Sequence, residues 1–255
     1  MKIESRWLAS CFLVLALGMA SHAQQAVPPG TIIPAALKTS ISSKKAKPGM
    51  AVSARVMQDV PLPNNKKIRE GSKVTGHVTE VQQGSNGVGP SVFLVFDHVL
   101  IGKEALFITT DLRAIASFAA VDGAQIPAFG MGEGESWNNR VTTQVGGDTV
   151  YWGGGPVVSR FGPVGKPLGG SANTGVLVKV TSKPGSPCRG EVEGNDRVQA
   201  LWVFSSDACG VYSMDGLTIV HAGRTEPLGV IELSTKDQEI KVPSGSGMLL
   251  RVVSK

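Results

Sequence analysis

The sequence predicts an all-β protein: two small β-sandwich or barrel domains joined by a Gly-rich connector. Three observations carry this. Apolar and polar residues alternate over short runs, the period of a half-buried strand. Turn residues recur every ten residues or so, the spacing of sandwiches and barrels. Glycine and proline are abundant, 32 and 15 of 255 residues, roughly 18% against about 12% in average proteins. With 42% apolar and 18% charged residues, the chain is too apolar to be disordered. Its glycines lack the three-residue period of collagen, and no window keeps the apolar heptad of a coiled coil.

Residues 1–23 read as a cleavable signal peptide. Lys2 and Arg6 supply a positive start, Leu8 to Met19 an apolar stretch, and Ser21-His22-Ala23 a cleavage site with small residues at −3 and −1. The apolar stretch is 12 residues long, short of the roughly 20 that a spanning helix needs. Leu8-Ala9-Ser10-Cys11 imitates a lipoprotein box, but the apolar run follows the cysteine instead of preceding it. Removing Lys2, Arg6 and Glu4 lowers the net charge from +5 to +4. So small a charge bears on solubility and gives no support for nucleic acid as a partner. The expected location is periplasmic or secreted.

The N-terminal β domain is expected over residues 24–122. Met50, Val52, Ala54, Val56 and Val60 alternate with Ser53, Arg55 and Asp59. Val74 and Val78 alternate with Lys73, Thr75, His77 and Thr79 in the same way. Val92-Phe93-Leu94-Val95-Phe96 is apolar at every position and reads as a central strand buried on both faces. Leu106, Ile108 and Leu112 continue the pattern, and Ala114 to Val121 is the one stretch where a short helix competes.

Residues 123–175 differ. They hold 14 glycines in 53 positions, with little strand periodicity, yet five of the 12 aromatic residues beyond Ala23. A flexible linker would lack those rings. A long decorated connector, partly ordered, is expected. Its Trp137, Tyr151 and Trp152 are the candidate binding aromatics.

Strands resume in the C-terminal β domain, residues 176–255. Val176 to Val180 and Ala200 to Phe204 come first, the latter expected to be buried on both faces. Leu217 to Val220, Gly229 to Leu233, Glu239 to Val242 and Met248 to Val253 follow. Cys188 and Cys209 are the two cysteines beyond the signal, 21 residues apart. Two cysteines in an exported chain imply a disulfide. Such a loop is worth roughly 3 kcal/mol in the chain-entropy picture. It is expected to support the C-terminal domain only.

No residue set declares a chemistry. His77, His98 and His221 lie far apart without metal-ligand spacing. Ser244 and Ser246 sit in a Pro-Ser-Gly-Ser-Gly turn that lacks nucleophile-elbow spacing. Glu133 and Glu135 are neighbours in a Gly-rich loop, which does not hold two acids across a glycosidic bond. Gly153-Gly154-Gly155 opens no helix and cradles no phosphate. No catalytic residue, metal or cofactor is expected. Two basic clusters, Lys44, Lys45 and Lys47, then Lys66, Lys67 and Arg69, fall in turns. They are solvated turns or, functionally, contacts to anionic envelope surfaces or an acidic partner.

One segment resembles a known family. Gly30-Thr31-Ile32-Ile33-Pro34-Ala35-Ala36-Leu37 is followed by Thr39 to Ser43 and Pro48-Gly49. Then come Val52 to Val60 (VSARVMQDV) and Ile68 to Gly76 (IREGSKVTG). In this order residues 30–115 resemble the C-terminal β-barrel domain of the TrbI-like scaffold proteins of conjugation and type IV secretion machines. The resemblance implies a barrel in the first half and a structural, non-catalytic role. It stops there: Glu70 departs from the family turn, and the family's inner-membrane helix and Pro-rich stalk have no counterpart here. The expected function is thus an exported, non-catalytic envelope scaffold or protein-interaction protein. The alternative is a glycan- or cell-wall-binding module that stacks sugars on the connector aromatics. The identity of the partner and the oligomeric state are left open.

Overall fold

A computed structural model describes residues 27–85, 87–126, 140–160, 167–181, 188 and 197–253, with the backbone of 128–129. The first strands are β1 (Ile32–Leu37), β2 (Ile41–Ser42), β3 (Ala51–Val56), β4 (Val60–Pro61), β5 (Lys67–Ile68), β6 (Lys73–Gln82), β7 (Ser91–Ile101), β8 (Glu104–Phe107) and β9 (Thr110–Ala116). One short helix, α1 (Phe118–Gly123), follows, its first turn capped by the Ser117 hydroxyl accepting from the Ala120 amide. Next come β10 (Ala128–Phe129), β11 (Arg140–Thr143), β12 (Thr149–Tyr151), β13 (Pro156–Val158), β14 (Pro167–Ala172), β15 (Gly175–Val178) and β16 (Gln199–Ala200). The chain ends with β17 (Gly210–Tyr212), β18 (Thr218–His221), β19 (Ile231–Ser234), β20 (Lys241–Val242) and β21 (Gly247–Val252).

The protein is all-β, as the sequence predicts, with a large, nearly closed barrel-like sheet. That sheet has ten strands in the order β17-β9-β21-β1-β3-β6-β7-β19-β18, with β8 beside β7. The open side is bridged where the Leu112 amide donates to the Ala222 carbonyl at 2.8 Å. A second, seven-stranded antiparallel sheet runs β10 to β16 in chain order.

The sheets do not divide where the sequence reading placed its boundaries. β21 lies between β1 and β9, and β19 pairs with β7, so strands from 24–122 and 176–255 share one sheet. The stretch read as a connector supplies β10 to β14, and β15 and β16 complete that same sheet. Cross-strand hydrogen bonding is blind to sequence distance, so an alternating pattern names a strand without naming its partner.

Side-chain parity explains the layers. Along β1, Ile33, Ala35 and Leu37 enter the barrel core, while Ile32 and Ala36 join a second core against the other sheet. β9 also splits, but an irregularity in its pairing with β21 at Arg113 reverses the alternation: Leu112 and Ile115 go to the first core, Ala114 and Ala116 to the second. The second core is completed by Val150, Val157, Val176, Val178 and Phe204. Cover on both faces buries every residue of β1 and β9; β1 reads as the apolar run expected of such a strand, whereas β9 also buries Thr110, Asp111 and Arg113. β7 is a correction. Val92, Leu94 and Phe96 are buried, but Phe93 and Val95 are only half-buried, because the second sheet does not extend over β7.

Ala200 to Phe204 is a second correction. It is buried as expected, but the strand ends at Ala200 and residues 201–204 turn. Trp202 has φ +50°, a left-handed conformation that stops an extended run.

Candidate functional site

Trp202 is the fixed point of a groove on the second sheet. Its amide donates to Gln58 Oε1 at 2.7 Å, and its carbonyl accepts from Gln144 Nε2 at 3.2 Å. Gln58 Nε2 in turn donates to the Val176 carbonyl at 2.8 Å. Two buried amide side chains therefore clamp a backbone that a tryptophan adopts only with strain. Gly175 must be glycine here, since a Cβ would lie 2.6 Å from the Trp202 Cα. Trp202 is 4% exposed and forms part of the groove floor.

The groove has a volume of about 770 Å³, inside the roughly 300–1,000 Å³ of small-molecule sites. Trp152, half-buried, stands in its wall at the turn after β12. The indole N–H donates to the Thr142 hydroxyl, and the Trp152 amide donates to the Arg140 carbonyl at 2.8 Å. These bonds hold the ring against β11. Gln125, Asn173 and Ser171 add polar groups, and Arg140 is the one charged side chain lining the groove among the described residues. An aromatic face beside amides, a hydroxyl and a guanidinium is a binding chemistry that suits flat, hydroxyl-rich ligands.

The candidates from the sequence separate. Trp152 lines the groove, whereas Tyr151, one residue earlier, is half-buried and is not among the lining residues. Successive side chains on a strand face opposite ways. Trp137, Glu133 and Glu135 lie outside the described residues, as does the signal segment. Trp202 and Arg140 escaped the sequence reading. Trp202 sat in a run that looked like an ordinary buried strand, and nothing in sequence brings Arg140 to it.

The basic clusters are exposed and partly neutralised; the first lies at a turn, whereas the second is corrected to the short strand β5 and its flanks. Lys67 pairs with Asp59, and the hydrogen bond from Lys67 holds the Asp59 carboxyl below its usual range. Lys44 and Lys241 both reach Glu239, at 3.4 and 3.3 Å. The Ser42 hydroxyl, first, and the two lysines lower the Glu239 pKa. Lys45, Lys47, Lys66 and Arg69 are exposed.

Cys188 and Cys209 form the expected disulfide, with Cα atoms 5.8 Å apart. Both cysteines lie in the C-terminal part, and the bridge packs beside β9 of the N-terminal part. Cys209 leads into β17, which pairs in parallel with β9, and Cys188 Sγ lies 3.3 Å from the Arg113 carbonyl. Arg224 Nη2 is 2.8 Å from the same sulfur. Behind it lies a buried charge cluster. Burial pushes the Asp111 carboxyl up, despite Arg251 beside it, and burial with the charges of Arg224 and Arg251 brings Arg113 down to about 10.

Folding also joins two histidines that are far apart in sequence. On the β6–β7 hairpin, Asp97 takes His98 Nδ1 at 2.6 Å and His77 Nδ1 at 3.3 Å. Hairpin register alone places them together. Among the described residues no group of three or more metal-ligating side chains forms, and no helix is long and apolar enough to cross a membrane. Compared with models of known protein families and with curated proteins, the sequence matches none.

Proposed function

We propose that this is a non-catalytic binding protein of the cell envelope, in which the barrel is a rigid scaffold and the groove on the second sheet receives a cell-wall glycan. The observation that carries the reading is the groove beside Trp152, whose indole is anchored to Thr142, over the backbone of the buried Trp202, which Gln58 and Gln144 clamp. Strain held by surrounding structure is a mark of functional positions. Aromatic faces pack against the C–H faces of sugars while amides take the hydroxyls. Export is supported by the signal-like residues 1–23 and by the disulfide. The scaffold role is supported by the resemblance of residues 30–115 to TrbI-like barrels and by the shared ten-stranded sheet.

Sedimentation of the full chain with purified cell-wall polysaccharide tests this. The expected result is co-sedimentation, lost in Trp152→Ala with folding unchanged. Retention by Trp152→Ala equal to wild type counts against the groove. A protein partner is the second reading, favoured by the solvent face of β18, where Val220 is 59% exposed. Crosslinking in intact cells that yields discrete protein adducts through β18, without polysaccharide binding, would establish it instead.

A further inference from the structure

We infer that the groove selects an acidic glycan, one bearing carboxylates on or beside its sugar rings, and that Arg140 is the residue that reads the charge. The inference rests on the glycan reading above and adds the substrate class. Three features of the groove converge on it.

The first is charge. Arg140 is the one charged side chain among the described lining residues, so the described part of the groove presents a positive charge to an occupant. Among the described residues no carboxylate pairs with Arg140. Several other cations meet a carboxylate: Lys67 meets Asp59, Lys44 meets Glu239, and Arg251 meets Asp111. Arg140 is at the start of β11 and exposed, with its backbone fixed by the β11–β12 pairing.

The second is geometry. The Arg140 carbonyl accepts from the Trp152 amide at 2.8 Å, so the guanidinium and the indole stem from adjoining, hydrogen-bonded backbone. A sugar ring packed on Trp152 would then place a ring substituent within reach of the Arg140 fork. Guanidinium and carboxylate match as a bidentate pair, a fit that a neutral hydroxymethyl group cannot reproduce.

The third is the remainder of the lining. Gln125 and Asn173 offer amides, and Ser171 a hydroxyl that donates to the Tyr151 carbonyl at 3.3 Å and accepts from the Gly154 amide at 3.2 Å. These groups suit hydroxyls and acetamido groups and do not discriminate charge. Selectivity for the acid therefore falls on Arg140.

Calorimetric titration of the full chain with a uronic-acid oligosaccharide, and with the same oligosaccharide after reduction of its carboxyls to alcohols, is the test. A free-carboxylate peptide with a terminal aromatic residue is the third probe. The acidic oligosaccharide should bind at least about tenfold tighter than its reduced form, the worth of one hydrogen-bonded charge pair. Arg140→Gln should erase that difference and leave the weaker neutral binding. Arg140→Lys should restore only part of it, since an ammonium lacks the fork. Equal affinity for the acidic and reduced forms, or an Arg140→Gln variant that still discriminates, overturns the inference while leaving the glycan reading intact. Binding of neither oligosaccharide overturns both. Preference for the peptide overturns both in favour of a protein terminus as the occupant. Thermal unfolding of each variant at the wild-type midpoint establishes that the fold is not the cause.

Discussion

Asp111 and Arg251 stand opposite each other on β9 and β21, and Nε and Nη2 of the arginine converge on one carboxylate oxygen, Oδ2, the Nε at 2.8 Å. Arg224 Nε lies 3.5 Å from that same oxygen. Asp111 is fully buried, and its Oδ1 has no hydrogen-bond partner among the described residues. Two arginines and one acid thus meet where β9 joins the C-terminal strands.

Removing the acid leaves buried guanidinium charges uncompensated. Asp111→Ala is expected to cost about 3–5 kcal/mol, the range for breaking one partner of a buried pair. Urea unfolding at neutral pH measures it. Replacing both partners, Asp111→Leu with Arg251→Met, should cost less than Asp111→Ala alone. The pH dependence has a definite sign. Burial raises the folded carboxyl above its ordinary 3.8. The folded state therefore holds the proton more tightly. Its stabilising contribution is full below pH 3.8 and is lost as pH rises through the folded value. In Asp111→Asn that descending step should vanish from the stability curve.

The shared sheet predicts one cooperative unit. A fragment of residues 24–122 lacks β21 and β19, so β1, β9 and β7 each lose a hydrogen-bonded neighbour. The fragment is expected to give no cooperative thermal transition, while the full chain unfolds in a single one. Circular dichroism of both decides it. An independently folded 24–122 fragment would contradict the interleaved sheet.

The disulfide joins Cys188 to Cys209, next to the parallel pair of β17 and β9. Cys188→Ala/Cys209→Ala should lower stability by roughly 3 kcal/mol, the chain-entropy value for a loop of this size. Hydrogen exchange should quicken first at the paired residues Gly210 to Tyr212 and Ala114 to Ala116. Protection unchanged at Ala114 to Ala116 would mean that the bridge acts on the C-terminal segment alone.

Gly76 sits at a register shift between β6 and β7, where an added Cβ would lie 1.8 Å from the Val95 carbonyl oxygen. Backbone on both sides cannot yield as a flexible side chain would. Gly76→Ala should therefore destabilise by about 1–3 kcal/mol or more, the cost of overpacking. Gly49→Ala is a useful contrast. Space there is open, and the cost comes from its φ of +80° alone. The two unfolding midpoints separate contact from conformation.

The sequence by itself determined that the chain is β, and why. Alternation in Ala51–Val56 and the apolar runs Ile32–Leu37 and Met248–Leu250 reflect the faces that each strand buries. It also determined the turn at Pro243 to Gly245 and the pairing of Cys188 with Cys209, since local conformation and covalent choice are written in residue type and count. Trp152 was legible as a candidate because a large ring in a glycine-rich stretch needs a reason. Partnership was not legible. That β21 inserts between β1 and β9, or that His77 and His98 meet at Asp97, depends on register between distant segments. The groove had the same origin. Trp202 turns out of a strand because Gln58 and Gln144, 144 and 58 residues away, satisfy its backbone in a conformation its own neighbours do not specify. Local propensity sets what each segment favours, and only the closed set of hydrogen bonds in the folded chain decides which of those preferences is overruled.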